Sequence, residues 1–330
     1  MLEHGGKLRA AAQRYGIALE GWLDLSTGIA PWPWPWPLAD IPASAWQRLP
    51  EEDDGLEQAA RDYYGCDSLL PLPGSQAAIQ ALPRLRAPGR VGVLAPCYAE
   101  HAAAWKQHGH ELLELADDEV DGLVDQLDVL LLVNPNNPTG RRFDSQRLLA
   151  WHERLRARGG WLVVDEAFMD CTPGHSLLPL AGGQPGLVVL RSLGKFFGLA
   201  GARLGFAFAE STLLRGLAEL LGPWAVSGPT RWVARHALAD HARQGERRAA
   251  LEQAGARLAA LLKTHRLLTQ GTALFQWLAY PRAGELHEHL ARRGILVRLF
   301  DSPPSLRFGL PADEAGWQRL GQALGEWSPT

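Results

Sequence analysis

Short, continuously apolar segments alternate with amphipathic ones through the middle of the chain, and this alternation limits the possible folds most strongly. Helix-like segments such as Ser145–Ala157 lie between several of the apolar ones. Strands that are apolar on both faces belong to a sheet covered by helices on both sides. The pattern therefore predicts an α/β fold in which ligands bind beyond the carboxyl ends of the strands. The candidate strands are Arg90–Ala95, Val129–Val133, Trp161–Val164, Leu187–Leu190 and Leu204–Ala209.

The pattern changes from about Leu213 onward, where long helical stretches are followed by short strands. The predicted elements are helices at Arg231–His241, Arg247–Leu262 and Glu285–Arg293, and strands at Thr272–Ala279, Ile295–Leu299 and Ser305–Gly309. This mixture predicts a second, smaller α+β domain. We expect three regions: an N-terminal arm with part of the small domain (1–48), a large ligand-binding domain (49–212), and the small C-terminal domain (213–330).

The run Pro31–Pro37, PWPWPWP, excludes a central helix or strand because four of its seven residues lack an N–H. It is interpreted as an extended, polyproline-like segment that crosses the surface. Its tryptophans fit a substrate entrance or a subunit interface. The role that this composition favours is a stiff connector whose rings pack on the body of the protein.

Composition excludes several classes of protein. Lysine and arginine nearly balance the acidic residues, giving a formal net charge of −3, so nucleic acid is not expected as a partner. The three cysteines lie far apart and no His or Cys pair has zinc spacing, so no metal is expected and a reducing compartment is favoured. With no membrane-span or signal-peptide pattern, we expect a cytoplasmic protein without membrane contact.

Lys195 follows a predicted strand within the segment Ser192–Phe206, SLGKFFGLAGARLGF. Ser192 supplies a hydroxyl and Arg203 a charged donor, two groups that suit a phosphate. The small residues between them permit close approach of a ligand to the backbone. Lys195 could then reach the aldehyde carbon of a phosphorylated cofactor. The alternative is a solvated loop lysine, which is the common case for lysine.

Other polar residues each follow a predicted strand or begin a helix. Asp165 ends a buried strand and requires a partner, although an aspartate there can also cap a turn. Asn137 lies in the turn segment NPNNPTG. Ser75 and Gln76 begin a helix and could present donors to an anion, or Ser75 could be an ordinary N-cap. Tyr98 could stack on a planar ring or pack at an edge.

Together and in this order, these segments resemble the fold-type I pyridoxal 5′-phosphate (PLP) enzymes of the aspartate aminotransferase superfamily. They are most similar to the histidinol-phosphate aminotransferase-like branch, over nearly the whole chain. The resemblance implies a fold-type I PLP-dependent transferase: a large domain with a mostly parallel, mixed sheet between helices, a smaller α+β domain, and a homodimer. It implies a Schiff base on Lys195. The implied cofactor contacts are Asp165 to the ring nitrogen, Asn137 to the ring oxygen, Tyr98 stacked on the ring, and Ser75, Gln76, Ser192 and Arg203 to the phosphate.

Two positions depart from that branch. Phe168 stands where a tyrosine usually bonds the ring oxygen, and Leu49 stands where a tyrosine usually reaches the neighbouring subunit's cofactor. Both changes favour a reaction other than ordinary amino transfer.

The N-terminus narrows the expected reaction. His4-Gly5-Gly6 followed by the segment Asp24–Gly28 resembles the threonine-phosphate decarboxylases of cobalamin biosynthesis, which also carry Phe at the position of Phe168. The resemblance implies conversion of L-threonine O-3-phosphate to (R)-1-amino-2-propanol O-2-phosphate and carbon dioxide, with Lys195 reprotonating Cα. The substrate would be held by His4, Gly5, Gly6, Gly28, Asn137, Arg298 and Arg307.

Two other interpretations stay open. One is an aminotransferase that acts on histidinol phosphate or an aromatic amino acid. The other is a non-catalytic binding or regulatory protein with the same fold. For Arg298 and Arg307, the alternative role is a surface salt bridge, and for His4 a disordered terminus.

Overall fold

The computed structural model describes residues 4–35, 40–181 and 183–328. Its strands are β1 Leu23–Leu25, β2 Leu69–Leu72, β3 Arg90–Leu94, β4 Glu111–Leu115, β5 Val129–Val133, β6 Trp161–Asp165, β7 Leu187–Ser192, β8 Gly205–Phe208, β9 Gln270–Thr272, β10 Phe275–Ala279, β11 Ile295–Asp301 and β12 Pro304–Gly309. Its α-helices are α1 Leu8–Tyr15, α2 Ala43–Gln47, α3 Leu56–Tyr64, α4 Ser75–Ala81, α5 Ala99–Gln107, α6 Val120–Leu123, α7 Ser145–Arg156, α8 Leu178–Ala181, α9 Ser211–Leu221, α10 Gly228–Ala239, α11 His241–Thr264, α12 Ala283–Ala291 and α13 Glu314–Gly325.

The larger sheet has seven strands in the order β2-β8-β7-β6-β5-β3-β4. Strands β3 to β7 run parallel, whereas β8 is antiparallel to both of its neighbours, β7 and β2. All residues of the central strands β5 and β7 are buried, as expected for strands covered on both faces. The predicted α/β fold with a mostly parallel, mixed sheet is therefore confirmed.

Strands β2 and β4 were not predicted, and both lie at the edges of this sheet. β2 contains Pro71, and β4 has the sequence ELLEL with two acidic residues. Proline and charged residues are typical of edge strands because an edge leaves one row of backbone groups unpaired. The same residues break the continuous apolar pattern that identified the central strands.

The smaller sheet has five strands in the order β1-β11-β12-β10-β9. β1 is parallel to β11, and the remaining neighbours are antiparallel. Leu296 of β11 packs with Trp22, Ala11 of α1 and Ala291 of α12 in a small apolar cluster. The predicted α+β character of this region is thus present, although the short strand β1 had no pattern long enough to predict it.

The chain divides into two compact units. Among the described residues, the small-sheet unit comprises 4–33, 138–141 and 246–328, and the large-sheet unit comprises 34–137 and 142–245, apart from the gaps at 36–39 and 182. The expected boundaries at 48/49 and 212/213 differ from these. Helix α9 buries Leu213, Leu214 and Leu217 in the core of the large sheet, and α10 packs against α3. Helical periodicity predicts an apolar face but does not indicate which sheet will cover it.

Within the described part of the chain, no helix is both long and apolar enough to cross a membrane. In the same residues, no group of three or more His, Cys, Asp or Glu side chains is arranged to hold a metal ion. The cysteines Cys66, Cys97 and Cys171 are free thiols.

Candidate active site

A cavity of about 160 Å³, here called the Lys195 pocket, lies in the large-sheet unit. It is lined by residues at the carboxyl ends of neighbouring parallel strands, including Val133 of β5, Asp165 of β6 and Ser192 of β7. Parallel strands bring their carboxyl ends to one edge of the sheet, which explains this convergence. All eight residues predicted to bind the cofactor line the pocket: Ser75, Gln76, Tyr98, Asn137, Asp165, Ser192, Lys195 and Arg203.

Lys195 is held in a tight loop directly after β7. The Leu193 N–H donates to the Leu204 carbonyl (3.1 Å), and the Gly198 N–H, at a residue with φ of 66°, donates to the Lys195 carbonyl (3.3 Å). The side chain is half-buried, and its Nζ lies 5.6 Å from the centroid of the Phe168 ring. Lys195 therefore faces the interior of the pocket across an aromatic face, which distinguishes it from a solvated loop lysine.

Asp165 has two hydrogen-bonding partners at the base of the pocket. Its Oδ1 accepts from the Ala167 N–H (3.0 Å), and its Oδ2 lies 2.9 Å from Nε2 of His101. Both side chains of the His101–Asp165 pair are buried. His101 was not among the predicted site residues. It follows Tyr98 by three residues at the start of α5, a spacing that places side chains on one helix face and could have identified it.

The Lys195 pocket is also lined by hydroxyl and guanidinium donors, from Ser75, Ser192 and Arg203. Gly74 has φ of 81°, and a side chain at this position would come within 2.7 Å of the Arg203 guanidinium. The pocket wall thus requires glycine here, and it leaves Ser75, Ser192 and Arg203 facing the cavity. Such a donor set suits a phosphate group.

Tyr98 is oriented by neighbouring polar groups. Its hydroxyl donates to Oε1 of Gln76 (3.2 Å), and Nε2 of Gln76 in turn donates to Glu100 (3.0 Å). Burial, together with the charges of Glu100 and Asp165, raises the pKa of Tyr98 to about 12. The phenol is therefore neutral at physiological pH and can act as this donor. Gln76 holds Tyr98 in place as well as lining the pocket.

A buried ion cluster, here called the Arg191 cluster, ties β6 to β7 beneath the pocket. It consists of Arg191, Glu166, Asp170 and Ser176. Arg191 donates to Glu166 (2.8 Å) and to Asp170, and the Ser176 hydroxyl donates to Glu166 (2.6 Å). Burial raises the pKa of Glu166, while burial lowers the pKa of Arg191 but is outweighed by Asp170 and Glu166, which leave it raised. The sequence analysis missed this cluster, although an arginine ending the apolar segment LVVLR was a signal for it.

The predicted substrate residues other than Asn137 all lie in the small-sheet unit. Arg298 and Arg307 are paired directly across β11 and β12. Nη2 of Arg307 donates to the Ser26 carbonyl (2.9 Å). Burial, with a contribution from Arg298, lowers the pKa of Arg307 to about 10. A nearby anion would stabilise these two adjacent positive charges, so this part of the unit is suited to an acidic ligand.

The N-terminal His-Gly-Gly segment is held against Asp24–Ser26 in the same unit. The Gly6 N–H donates to the Ser26 hydroxyl (2.7 Å), which donates to Asp24 (2.6 Å). A side chain on Gly5 would collide with the Ser26 carbonyl, so glycine is required there. A bond from the Gly6 amide to a substrate phosphate would have to replace the bond to Ser26. His4 is half-buried and Gly28 is buried.

A family model described as aminotransferase class I and II matches residues 49–323. The chain belongs to this aminotransferase family. It is 63% identical to the threonine-phosphate decarboxylase of Pseudomonas aeruginosa, covering 98% of this chain and 97% of that protein. It is 44% identical to the threonine-phosphate decarboxylase of Sinorhizobium sp, covering 97% of each. The histidinol-phosphate aminotransferase of Sinorhizobium meliloti, solved in complex with pyridoxal-5′-phosphate, has the same fold (TM-score 0.86, 21% identity, covering 98% of this chain and 95% of that one).

The residues of the Lys195 pocket fit PLP, the cofactor on which this member of the aminotransferase class I and II family depends. An amine, a buried carboxylate and a phosphate-type donor set line the same cavity, and the Gly74 wall leaves room beside Arg203. These groups match the aldehyde, ring nitrogen and phosphate of PLP in turn. The individual contacts of Asn137, Tyr98 and the phosphate-binding residues stay predictions.

Replacing His101 with phenylalanine is expected to weaken PLP binding by about tenfold or more. The substitution removes one partner of the buried Asp165 carboxylate, and a hydrogen bond to a charged group contributes about 1.5–3 kcal/mol. A fluorescence titration of the protein with PLP measures the dissociation constant. His110→Phe is the matched control, since His110 is also buried but bonds the Pro83 carbonyl. Equal PLP affinities for the two variants would contradict the expectation.

Proposed function

We propose that the chain is a threonine-phosphate decarboxylase that converts L-threonine O-3-phosphate to (R)-1-amino-2-propanol O-2-phosphate and carbon dioxide, a reaction of cobalamin biosynthesis. The observation that carries this proposal is the complete Lys195 pocket with Phe168 beneath the lysine. It occurs in a chain most of whose length aligns closely with relatives of that name. The enzyme is PLP-dependent.

When bound, PLP supplies an electron sink for the pair released as the bond from Cα to the carboxylate breaks. The carboxylate of Asp165 favours a protonated partner at the base of the pocket, and His101 fixes the direction of that carboxylate. Lys195 would hold the cofactor covalently. Its amine would also be the group that delivers a proton to Cα of the substrate. Delivery to Cα completes decarboxylation without amino transfer.

Phe168 supports this assignment. Its ring faces Lys195, and it has no hydroxyl to donate to a cofactor oxygen. The same position is buried, so water is excluded from that side of the lysine. We infer that an apolar surface here keeps the Lys195 amine directed at Cα of the substrate.

Arg298 and Arg307 would hold the acidic groups of the substrate, together with His4, Gly5, Gly6, Gly28 and Asn137. The arginine pair supports this role because Arg307 is buried and Arg298 lies directly opposite it across β11 and β12, so two positive charges adjoin. An anion bound beside it would balance its charge. L-threonine O-3-phosphate carries two such groups, a carboxylate and a phosphate.

The decisive experiment incubates the purified holoenzyme with L-threonine O-3-phosphate and measures carbon dioxide. We expect stoichiometric release of carbon dioxide and an amino-alcohol phosphate without any added keto acid. Unphosphorylated L-threonine is the control and should react far more slowly. Amino transfer from histidinol phosphate to a keto acid, with no carbon dioxide from threonine phosphate, would replace this proposal with the aminotransferase function.

Replacing Arg307 with leucine is expected to abolish the stabilisation of the protein by L-threonine O-3-phosphate. A ligand at 100 times its dissociation constant stabilises by about 2.7 kcal/mol, which corresponds to a rise of several degrees in Tm. The measurement is thermal unfolding with and without ligand. Arg257→Leu, on an exposed arginine paired with Glu314 in the same unit, should retain the full shift. A retained shift in the Arg307 variant would exclude this arginine from the anion site.

We also propose a cytoplasmic homodimer. Trp46, Leu49 and Trp224 are 68%, 62% and 59% exposed in the large-sheet unit, and Leu49 and Trp224 each line a cleft that includes Pro50. Large apolar side chains that are exposed to this extent are typical of interfaces. Light scattering should give a molar mass of twice the chain mass of 36.1 kDa. The Trp224→Glu variant should have the mass of a single chain. The free cysteines are compatible with a reducing compartment.

A further inference from the structure

The Pro-Trp run is the one sequence feature that the proposed function leaves unused, and its described residues are Pro31–Pro35; 36–37 lie outside the described chain. Trp32 is partly exposed and donates through Nε1 to the Ala312 carbonyl in the small-sheet unit (2.9 Å). Trp34 belongs to the large-sheet unit and is only 3% exposed. At Trp34 the ring packs on the body of the protein, as the connector interpretation expects, and it does not lie open at the surface.

Trp34 packs against the loop that carries Lys195. The centroid of its ring lies 5.0 Å from that of Phe197, two residues beyond the lysine. Phe197 also contacts Phe196 at 4.9 Å, and both phenylalanines are fully buried. The two residues that follow Lys195 in the chain therefore have aromatic rings that close packing holds in place. Because Phe196 and Phe197 directly follow Lys195 in the chain, a shift of either ring would displace the lysine backbone.

Phe197 is also linked to the Arg191 cluster, through Tyr63. The Tyr63 ring lies 5.8 Å from Phe197, and the Tyr63 hydroxyl donates to Asp170 (3.2 Å). Asp170 in turn accepts from Arg191. Phe197 therefore contacts both Tyr63, which buried ion pairs hold in place, and Trp34. Of these two contacts, the Pro-Trp run supplies the one with Trp34.

The residues on either side of Trp34 restrict the conformation of its backbone. Pro33 and Pro35 flank it, and a residue before proline is restricted to extended conformations. The Pro35 carbonyl accepts from Nη1 of Arg243 in the same unit (2.6 Å). A tryptophan between two prolines loses little conformational freedom when it packs, so it can act as a fixed support.

We propose that Trp34 is a positioning residue for Lys195, acting through Phe197. It keeps the lysine amine at one place in the Lys195 pocket, and so sets both how tightly PLP is retained and the pH at which the lysine–PLP linkage titrates. This proposal rests on the cofactor role of Lys195. It assigns to the Pro-Trp run a part in the active site of its own unit rather than that of a connector.

The test compares Trp34→Ala, Trp34→Phe and Trp32→Ala as holoenzymes. Two quantities are measured: the PLP dissociation constant by fluorescence titration, and the pH midpoint of the lysine–PLP absorbance band. For Trp34→Ala we expect PLP binding weakened by about tenfold or more, and a shifted midpoint, because the cavity left beside Phe197 frees the loop. Trp34→Phe should retain most of the wild-type PLP affinity and a midpoint close to that of the wild type. Trp32→Ala should match the wild type in both quantities.

A wild-type midpoint in Trp34→Ala would overturn the proposal even with weaker binding, since loss of stability alone lowers affinity without moving the titration. The proposal would also be overturned if Trp32→Ala changed the PLP affinity and the midpoint as much as Trp34→Ala does. If Trp34→Ala does not fold, Trp34→Leu is judged by the same criteria. Absence of the band from the wild type would overturn the cofactor role of Lys195 itself, whereas a normal wild-type band with unchanged variants would overturn only the role of Trp34.

Discussion

Replacing Lys195 with alanine is expected to lower the rate of carbon dioxide release from L-threonine O-3-phosphate by about a thousandfold or more. The variant loses both the covalent anchor for the cofactor and the amine that delivers a proton to Cα, and each role contributes strongly to catalysis. The lysine is half-buried in the Lys195 pocket beside Phe168, where no other lysine lines the cavity. The measurement is initial-rate carbon dioxide release with saturating PLP.

Lys106→Ala is the matched control for this experiment. Lys106 lies on α5 of the same unit and is exposed, so its loss should leave the rate within about twofold of the wild type. The lysine–PLP absorbance band should vanish from Lys195→Ala and persist in the control. A Lys195→Ala enzyme that keeps a tenth of the wild-type rate would show that this residue is not the catalytic amine.

Replacing Arg191 with leucine is expected to lower the free energy of unfolding by about 3–5 kcal/mol. Arg191 is 1% exposed and neutralises both Glu166 and Asp170, which are buried as well. Without it, the two buried carboxylates lose the guanidinium that pairs with both of them. Urea denaturation of the apoprotein gives the measurement.

The effect of Arg191→Leu should also depend on pH. Burial already raises the pKa of Glu166 above its unfolded value, and removing Arg191 raises it further. A group with a raised folded pKa favours the folded state when it is protonated, so the variant should lose less stability at pH 5 than at pH 8. Arg154→Leu, whose arginine pairs with Asp125 at the surface, should cost less than about 1 kcal/mol at both pH values. Equal losses for the two variants would contradict a role for the buried cluster.

Much of the candidate site could be predicted from local sequence. Most of the eight residues predicted to bind the cofactor lie at the end of a strand, soon after one or at the start of a helix, and the ends of parallel strands must converge at one sheet edge. His101 and the Arg191 cluster were missed, although the spacing of His101 from Tyr98 and the arginine that ends LVVLR were local signals. Those signals do not identify the partners, because Asp165 lies 64 residues from His101 and Glu166 lies 25 residues from Arg191.

The sequence by itself determined the α/β fold, the strands at the centre of the large sheet and the residues gathered around Lys195. These follow from short-range patterns, because a strand buried on both faces must be continuously apolar and the chain must turn where it ends. Only the tertiary structure decided that α9 and α10 pack with the large sheet, that β2 and β4 form its edges, and that Trp34 is buried against Phe197. Those outcomes depend on which distant surface covers each apolar group, and burial of that kind leaves no signal in neighbouring residues.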